Sequence, residues 1–480
     1  MGFLLGDYNE LKNENRVMEP PFDISADLDT PVSTYLKLGP LEPRYLLESV
    51  EGGAHLARYS FLGFGSVRQF RLDADGLLID GERRPRPESS TELLDALRRL
   101  LKELPVLQPE MPELPFAGGL VGIAGYDLVR HFERLGSPPS GAAIPNSPEA
   151  AYLATESLLI FDHLTRRIAL LHSGTEEQRS ALRDAVIRLL RGPLPPAKPS
   201  RGYTDPEQSL SADDFKAAVE RSKDYIAKGD IYQIVLSVRF SGKHELSPFE
   251  TYRAMRLVNP SPYMFFFDLG DLQVAGSSPE ALVKCHEGQA ALRPIAGTRP
   301  RGADEAEDLA HEASLLADTK ENAEHVMLVD LARNDLGRVA AAGSVHVEPY
   351  KSIERYSHVM HIVSGVQGTL ADDKDAFDLF AAAFPAGTLV GAPKVRAMEL
   401  IDEMEPVRRG VYAGTVGYFG AGGDMDHAIA IRTLVFNGDE YSYQAGAGIV
   451  ADSVPQTEYE EVLAKSAILR RALAIAEEGL

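Results

Sequence analysis

The sequence predicts an α+β fold with a smaller N-terminal part and a larger C-terminal one, and three observations predict it. The stretch "GTVGYFGAGGDMDHAIAIRTLVFNGDEYSYQAGAGIV" strings short apolar runs between glycine, asparagine and aspartate turns, the pattern of antiparallel hairpins. Helical stretches such as "TELLDALRRLLKEL" and "TEEQRSALRDAVIRLLRG" fall between strand runs without the regular alternation of a parallel sheet. The segment at residues 189–209, "LLRGPLPPAKPSRGYTDPEQS", breaks every period around it with prolines, glycines and serines. The expected division is an N-terminal domain at 1–190, a linker at 191–209 and a C-terminal domain at 210–480.

Composition narrows the function classes. The chain has 480 residues, 44% hydrophobic and 25% charged, the balance of a soluble globular protein. Its longest apolar runs, "SPYMFFFDL" and "LLIF", fall short of a membrane span, and no signal peptide is expected at the N-terminus. A cytoplasmic location is the expectation. A formal charge of −22 argues against nucleic acid and anionic lipid as partners. If the ligand is an anionic metabolite, positive charge has to be local, from a metal ion or a few placed cations. The single cysteine, Cys285 in "ALVKCHEG", rules out an internal disulfide and reads as a packed strand residue.

Taken in order, "RYLLESVEGGAHLARYSFLGFG", "VRQFRLDADGLLIDG" and "GGLVGIAGYDLV" read as N-terminal strands with glycine and aspartate turns. In "GSSPEALV" and "VMHIVSG", Glu280 and His361 are lone ionisable residues inside apolar stretches, as compatible with a satisfied core as with chemistry. "PIAGTRPRG" holds an arginine pair in a kinked loop, which could hold an anion or lie at the surface. The helix in "ADTKENAEHVMLVDLARNDLGRV" brings Glu321, Glu324 and His325 together by three- and four-residue steps. "GTLVGAPK" and "QAGAGIV" are glycine-rich places for close backbone approach, but neither has the spacing of a dinucleotide fingerprint or a P-loop. In "TEYEEVLAKSAILRRALAIAEE", Thr457 and Glu460 form an expected capping box that starts the last helix. There Glu458, Glu461 and Lys465 share a face, with Leu463, Ile468 and Leu469 expected on the buried side. Two acidic helices could meet around a hard cation, though Glu461 and Lys465 read first as a surface ion pair.

In combination, "GSSPEALV", "PIAGTRPRG", "DLARNDLGRV", "GTLVGAPKVRAMELI", "VYAGTVGYF", "AIAIRT" and "QAGAGIVADSVPQTEYEEVLAKS", in this order, resemble the chorismate-utilising enzymes. The resemblance is strongest over roughly residues 210–475 and points to the anthranilate-forming branch. It implies two large antiparallel sheets packed together with flanking helices, an active site in the C-terminal domain, and a smaller N-terminal α+β regulatory domain. It implies Mg2+ held by Glu324 and Glu461, with Glu321 and Glu458 supporting the metal through water. Chorismate would meet Tyr412, Arg432, Lys465 and the backbone at Gly446 and Gly448, with Ala296, Gly297 and Thr298 and the hydroxyl of Thr388 near the ring. Glu280 would protonate the leaving hydroxyl, and His361 is tied to the elimination of pyruvate.

Two positions choose among relatives. Isochorismate and salicylate synthases carry a lysine base where this chain has Gln233, and many aminodeoxychorismate synthases carry a lysine nucleophile where it has Ala296. Glutamine cannot activate water and alanine offers no nucleophile, so both favour ammonia attacking the ring. "YLLESVEGG" and "NPSPYMFF" resemble the family's tryptophan feedback element, with Glu48, Ser49, Pro262, Tyr263 and Met264, and with Val416 and Tyr418 from the larger domain. With one cysteine in the chain, ammonia is expected from a separate glutamine amidotransferase subunit in a hetero-oligomer. The alternatives are an aminodeoxychorismate synthase component and a non-catalytic amino-acid sensor.

Overall fold

The structure is a computed structural model that describes residues 21–49, 58–139, 147–196, 201–356 and 359–480. Every pairing between its strands is antiparallel, and twenty-two strands join one hydrogen-bonded network beside a separate three-stranded sheet. The network resolves into two large sheets that share two long strands, Tyr59–Asp73 and Ala150–Asp162. Near their Tyr59 and Asp162 ends these two continue through Pro43–Glu48, Tyr263–Asp268, Leu272–Ser278, Thr433–Asn437 and Glu440–Ile449 to Gln233–Glu245. Near their Asp73 and Ala150 ends they continue through Gly119–Ala124, Thr415–Gly420, Met425–Ile429, Ala281–His286 and Gln289–Leu292 to Val366–Thr369. The change of sheet falls at the bulge between Phe64 and Val67, where an irregular register lets a strand bend.

Strand alternation builds both layers of the core. In Tyr263–Asp268, Phe265 and Phe267 face the opposite sheet with Tyr45, Phe61, Val121, Ile123, Val416 and Tyr418. Met264 and Phe266 turn outward under helices, against Tyr35, Phe249 and Tyr252. Each fully buried side chain of this size contributes about 1.5–3 kcal/mol, so strands apolar on both faces are the cohesive part of the molecule. The expected pair of packed antiparallel sheets with flanking helices is what the chain forms. Among the described residues, no helix is long and apolar enough to cross a membrane.

The sheets run across the expected domain boundary: Pro43–Glu48 pairs with Tyr263–Asp268, and Gly119–Ala124 with Thr415–Gly420. The expected linker holds two short strands, Arg201–Tyr203 and Glu207–Gln208, both paired with Gln233–Glu245.

Three local readings need correction. The last helix is Pro455–Glu478; its N-cap is Val454 and no side chain caps it. Pro455 takes the first helical position, where its fixed φ suits the turn and its missing N–H costs nothing, so Thr457 and Glu460 lie inside the helix rather than forming its capping box. Leu463 is 36% exposed, because the buried stripe runs through Val462, Ser466, Leu469 and Leu473, one residue out of step with it. "PIAGTRPRG" is the strand Ile295–Pro300 with a bulge at Gly297, not an irregular loop.

Candidate active site

The three-stranded sheet, the helix Thr319–Gly337, the last helix and the edge of Glu440–Ile449 converge on one cleft. Asp318 caps Thr319–Gly337 by accepting the amides of Lys320 and Glu321, which sets Glu321 and Glu324 in its first two turns. Glu324 accepts from Nε2 of Gln233 at 3.3 Å. Burial pushes the Glu324 carboxyl above its ordinary value, and the charges of Glu321 and Glu461 add to the rise. Glu461 pairs with Lys465 at 2.6 Å, and Nζ of Lys465 also donates to the carbonyl of Gly446 at 3.0 Å. Both side chains of that ion pair are about half exposed, at 44% and 50%, so the pair itself contributes little and stays open to a ligand.

A buried carboxylate with other acidic side chains beside it fits a divalent cation. Among the described residues no group of three or more histidine, cysteine or acidic side chains gathers. Two carboxylates with water and ligand oxygens completing the shell are what magnesium accepts.

Glu280 follows the strand Leu272–Ser278, and Oγ1 of Thr388 donates to its Oε1 at 3.0 Å. Burial raises the Glu280 carboxyl to about 7, against lowering by the Thr388 hydroxyl and the charge of Lys465. This acid therefore keeps its proton to near neutrality. His361 lies on Val359–Val363, opposite Thr298. Its Nδ1 is 2.9 Å from the carbonyl of Gly297 and 3.1 Å from the Thr298 hydroxyl. A carbonyl only accepts, so Nδ1 carries the proton and Nε2 keeps its lone pair. Burial holds the ring below the ordinary histidine value, with the charge of Arg432 adding to the effect. Gly297 has a φ of 68°, which aims its carbonyl at His361, and a Cβ there would lie 2.9 Å from Leu315. The two arginines of "PIAGTRPRG" are already engaged: Arg299 with Asp318 and Glu321, and Arg301 with Asp308 and the carbonyl of Tyr356. Ala296, opposite Ile362 in the same strand pair, is 8% exposed.

Arg432 has a φ of 49°, and Ala413, beside Tyr412, one of 60°; both are unusual outside glycine. Nη1 of Arg432 donates to Oδ1 of Asn259 at 3.3 Å, and the Arg432 carbonyl accepts the amide of Ser277 at 3.1 Å. Burial lowers this guanidinium from its ordinary value, and among the described residues no carboxylate forms an ion pair with it. A desolvated guanidinium of this kind calls for an anion. Gly446 is required by its neighbours, since a Cβ there would lie 2.6 Å from the Tyr412 hydroxyl and 2.7 Å from the carbonyl of Leu236; one at Gly448 would lie 2.8 Å from Nε2 of Gln233 and displace that side chain. "QAGAGIV" runs in regular register, Ser237 opposite Gly446 and Val235 opposite Gly448, with no bulge.

Comparison with known proteins bears on this arrangement. A family model described as "chorismate binding enzyme" matches residues 42–471. The chain belongs to the chorismate-binding enzymes. Among its relatives, anthranilate synthase component 1 of Thermus thermophilus is 46% identical over 461 residues, covering 95% of this chain and 97% of the relative. That of Pseudomonas aeruginosa is 44% identical, covering 96% of each. The crystal structure of anthranilate synthase component I from Streptococcus pneumoniae has a TM-score of 0.77 at 36% identity, covering 95% of this chain and all of that one. The menaquinone-specific isochorismate synthase of Escherichia coli, at 19% identity and a TM-score of 0.68, shares the fold.

In this chorismate-binding enzyme the other candidate residues fall as follows. Glu458 lies in the first turn of the last helix, one turn before Glu461. Glu48 is buried, accepts from the Tyr252 hydroxyl and pairs with Arg256 at 2.9 Å. Burial raises its carboxyl above the ordinary value. Met264 is its strand partner and shares its outward face. Tyr263, Val416 and Tyr418 belong to the layer between the sheets; Tyr263 donates to Asp426 at 3.0 Å and Tyr418 to the carbonyl of Pro115 at 3.1 Å. Ser49 and Pro262, both part-buried, flank the strand pair that joins Glu48 to Met264. Cys285 is buried and its thiol is pushed up to about 11, the state of a packed residue. Asn259, which anchors Arg432, is not singled out in the sequence, where "NPSPYMFF" is likened to the feedback element through Pro262, Tyr263 and Met264.

Proposed function

We propose that this chorismate-binding enzyme is the synthase component of an anthranilate synthase, converting chorismate and ammonia to anthranilate, pyruvate and water. The observation that carries the reading is Glu280, a carboxylic acid still protonated near pH 7 at the cleft that holds Arg432 and Glu324. Hydroxide leaves poorly, and Glu280 supplies the proton that lets the ring hydroxyl depart as water. Its ionised form is then stabilised by the Thr388 hydroxyl and by Lys465. Arg432 and Tyr412 receive the enolpyruvyl carboxylate, and the Gly446 segment closes over it. The free lone pair on Nε2 of His361 is assigned to the elimination that releases pyruvate and restores the aromatic ring. A bound magnesium ion, held by Glu324 and Glu461 with Glu321 and Glu458 behind them, would neutralise the ring carboxylate and draw electron density from the ring.

Ammonia rather than water is the proposed nucleophile because Gln233 offers no base and donates to Glu324 instead. Ala296 presents no amine on the ring face. The buried, high-pKa Cys285 cannot serve a glutaminase, so glutamine-derived ammonia comes from a separate amidotransferase subunit, and the reading places the pair in the cytoplasm. We further propose L-tryptophan as a feedback inhibitor bound near Ser49, Tyr263 and Tyr418, with Glu48 and Met264 on the strands that form the site. Ser49→Phe is expected to relieve inhibition by tryptophan at least tenfold with kcat unchanged. Equal inhibition of this variant and the parent would remove Ser49 from the effector site.

The direct test incubates the purified chain with chorismate, magnesium and ammonium, following anthranilate fluorescence, with EDTA and tryptophan in parallel arms. Fluorescence that EDTA abolishes and tryptophan suppresses supports all parts of the reading. Chorismate consumed without anthranilate would favour an aminodeoxychorismate product. No consumption would favour a sensor.

A further inference from the structure

Beneath the cleft lies an ion pair whose members are not among the residues proposed to bind substrate. Arg409 and Glu405 pair at 2.7 Å with side chains 1% and 2% exposed. The further hydrogen bonds of the pair reach two segments. Nη1 of Arg409 donates to the carbonyl of Leu389 and Nη2 to that of Val235, each at 2.7 Å. Oε1 of Glu405 accepts the amide of Ser237 at 2.9 Å and its hydroxyl at 2.7 Å. Leu389 follows Thr388 in the turn Gly387–Leu389, and Val235 lies two residues beyond Gln233 on Gln233–Glu245. The guanidinium also stacks 4.9 Å from the ring of Tyr126 and 5.6 Å from that of Tyr412. One planar cation thus bears on the supports of Thr388, Gln233 and Tyr412 together.

A fully buried ion pair is a poor device for stability, because desolvating both charges offsets most of their attraction. Its strength is geometric: a bidentate fork fixes its partners in angle as well as distance. We propose that Glu405 and Arg409 are positioning residues for the reaction, a clamp that holds the Thr388 turn and the Gln233 strand end in register around the substrate. The clamp acts through its neighbours: Thr388 is the hydrogen-bond donor to Glu280, and Gln233 the donor to Glu324. It rests on the reading of those residues as the site.

The test replaces the pair by apolar residues of similar size, Glu405→Leu with Arg409→Met, in the full chain. The double variant is expected to melt within a few degrees of the parent, since packing replaces the pair. Its kcat for ammonium-dependent turnover is expected to fall about 10–100-fold, the usual consequence of a site loosened by a fraction of an ångström to an ångström. Its KM for chorismate is expected to stay within about threefold, because Arg432 bonds Asn259 and not the pair. Arg409→Lys is expected to recover only part of kcat, since an ammonium cannot span two carbonyls and Glu405 at once. Hydrogen exchange is expected to rise in the peptide 387–392, where the amides of Leu389 and Val390 now donate to the carbonyls of Ala386 and Gly387, and this readout does not depend on turnover. An unfolded double variant would make the pair a stability element and overturn the proposal. So would parent-like kcat, or unchanged exchange over 387–392. Turnover of the parent in the same assay tests the proposed function separately.

Discussion

Glu280→Gln is expected to lower kcat by about 10²–10⁴-fold and, in the same molecule, to raise thermal stability at pH 8. The two effects share one cause. The folded protein holds this carboxyl at about 7, where an unfolded chain would release its proton near 4.5. Below pH 4.5 the group is neutral in both states and costs nothing. Between 4.5 and 7 the unfolded chain ionises while the folded one retains the proton, so stability falls as pH rises. Above 7 the folded protein carries the full cost of a desolvated carboxylate, about 3 kcal/mol at most. Glutamine removes that cost and keeps an acceptor for Thr388. The expected signature is a variant nearly equal to the parent in Tm at pH 5 and a few degrees above it at pH 8. Equal Tm differences at both pH values would place the Glu280 pKa in the ordinary range and remove its claim to be the acid.

The second large effect is expected at Arg432. Among the described residues this desolvated guanidinium has only Asn259 as a side-chain partner, an incomplete interaction that the proposed substrate carboxylate would complete. Truncating such a partner typically costs about 2–5 kcal/mol of binding, or about 30- to 5,000-fold. Arg432→Leu is therefore expected to raise the KM for chorismate by at least that lower bound, with a smaller change in kcat. The free protein is expected to become more stable, because a buried cation is removed and no ion pair is broken. A KM within threefold of the parent would assign the carboxylate to another group. Arg432→Lys is not a conservative control here, since a point charge lacks the paired donors of the fork.

Much of the site was legible because its chemistry depends on residue types at fixed positions in the chain. Glu324, Glu461, Lys465, Arg432 and Glu280 could be named from ordered segments, and the structure sets Glu461 beside Glu324 and Lys465 beside both Glu461 and Glu280. The glycines were legible as places of close approach, but their reasons were not: Gly446 is crowded by Tyr412 and Gly448 by Gln233, residues distant in sequence. Helix limits failed where two local rules competed. Thr457 and Glu460 satisfy the capping pattern, yet Pro455 starts the helix earlier. The clamp was invisible for a different reason. "MEPVRRG" shows an acid and a base four residues apart, but their partners are backbone groups up to 174 residues away, and a sequence carries no sign of which carbonyl a guanidinium will find. The opposite holds for the arginines of "PIAGTRPRG", which suggested an anion site and are instead satisfied by Asp318, Glu321 and Asp308.

The two long strands common to both sheets have a consequence for how the chain is made. Synthesis proceeds from the N-terminus, so Pro43–Glu48 and Gly119–Ala124 leave the ribosome well before Tyr263–Asp268 and Thr415–Gly420, the strands that cover them. At about 5–20 residues per second, the growing chain exposes two apolar strand edges for roughly 10–60 s. Such edges are templates for pairing with another chain. The shared strands that weld the finished protein into one body thus leave its first half unable to protect itself during translation, and yield in a cell is expected to depend on holdase chaperones more than on the stability of the finished fold.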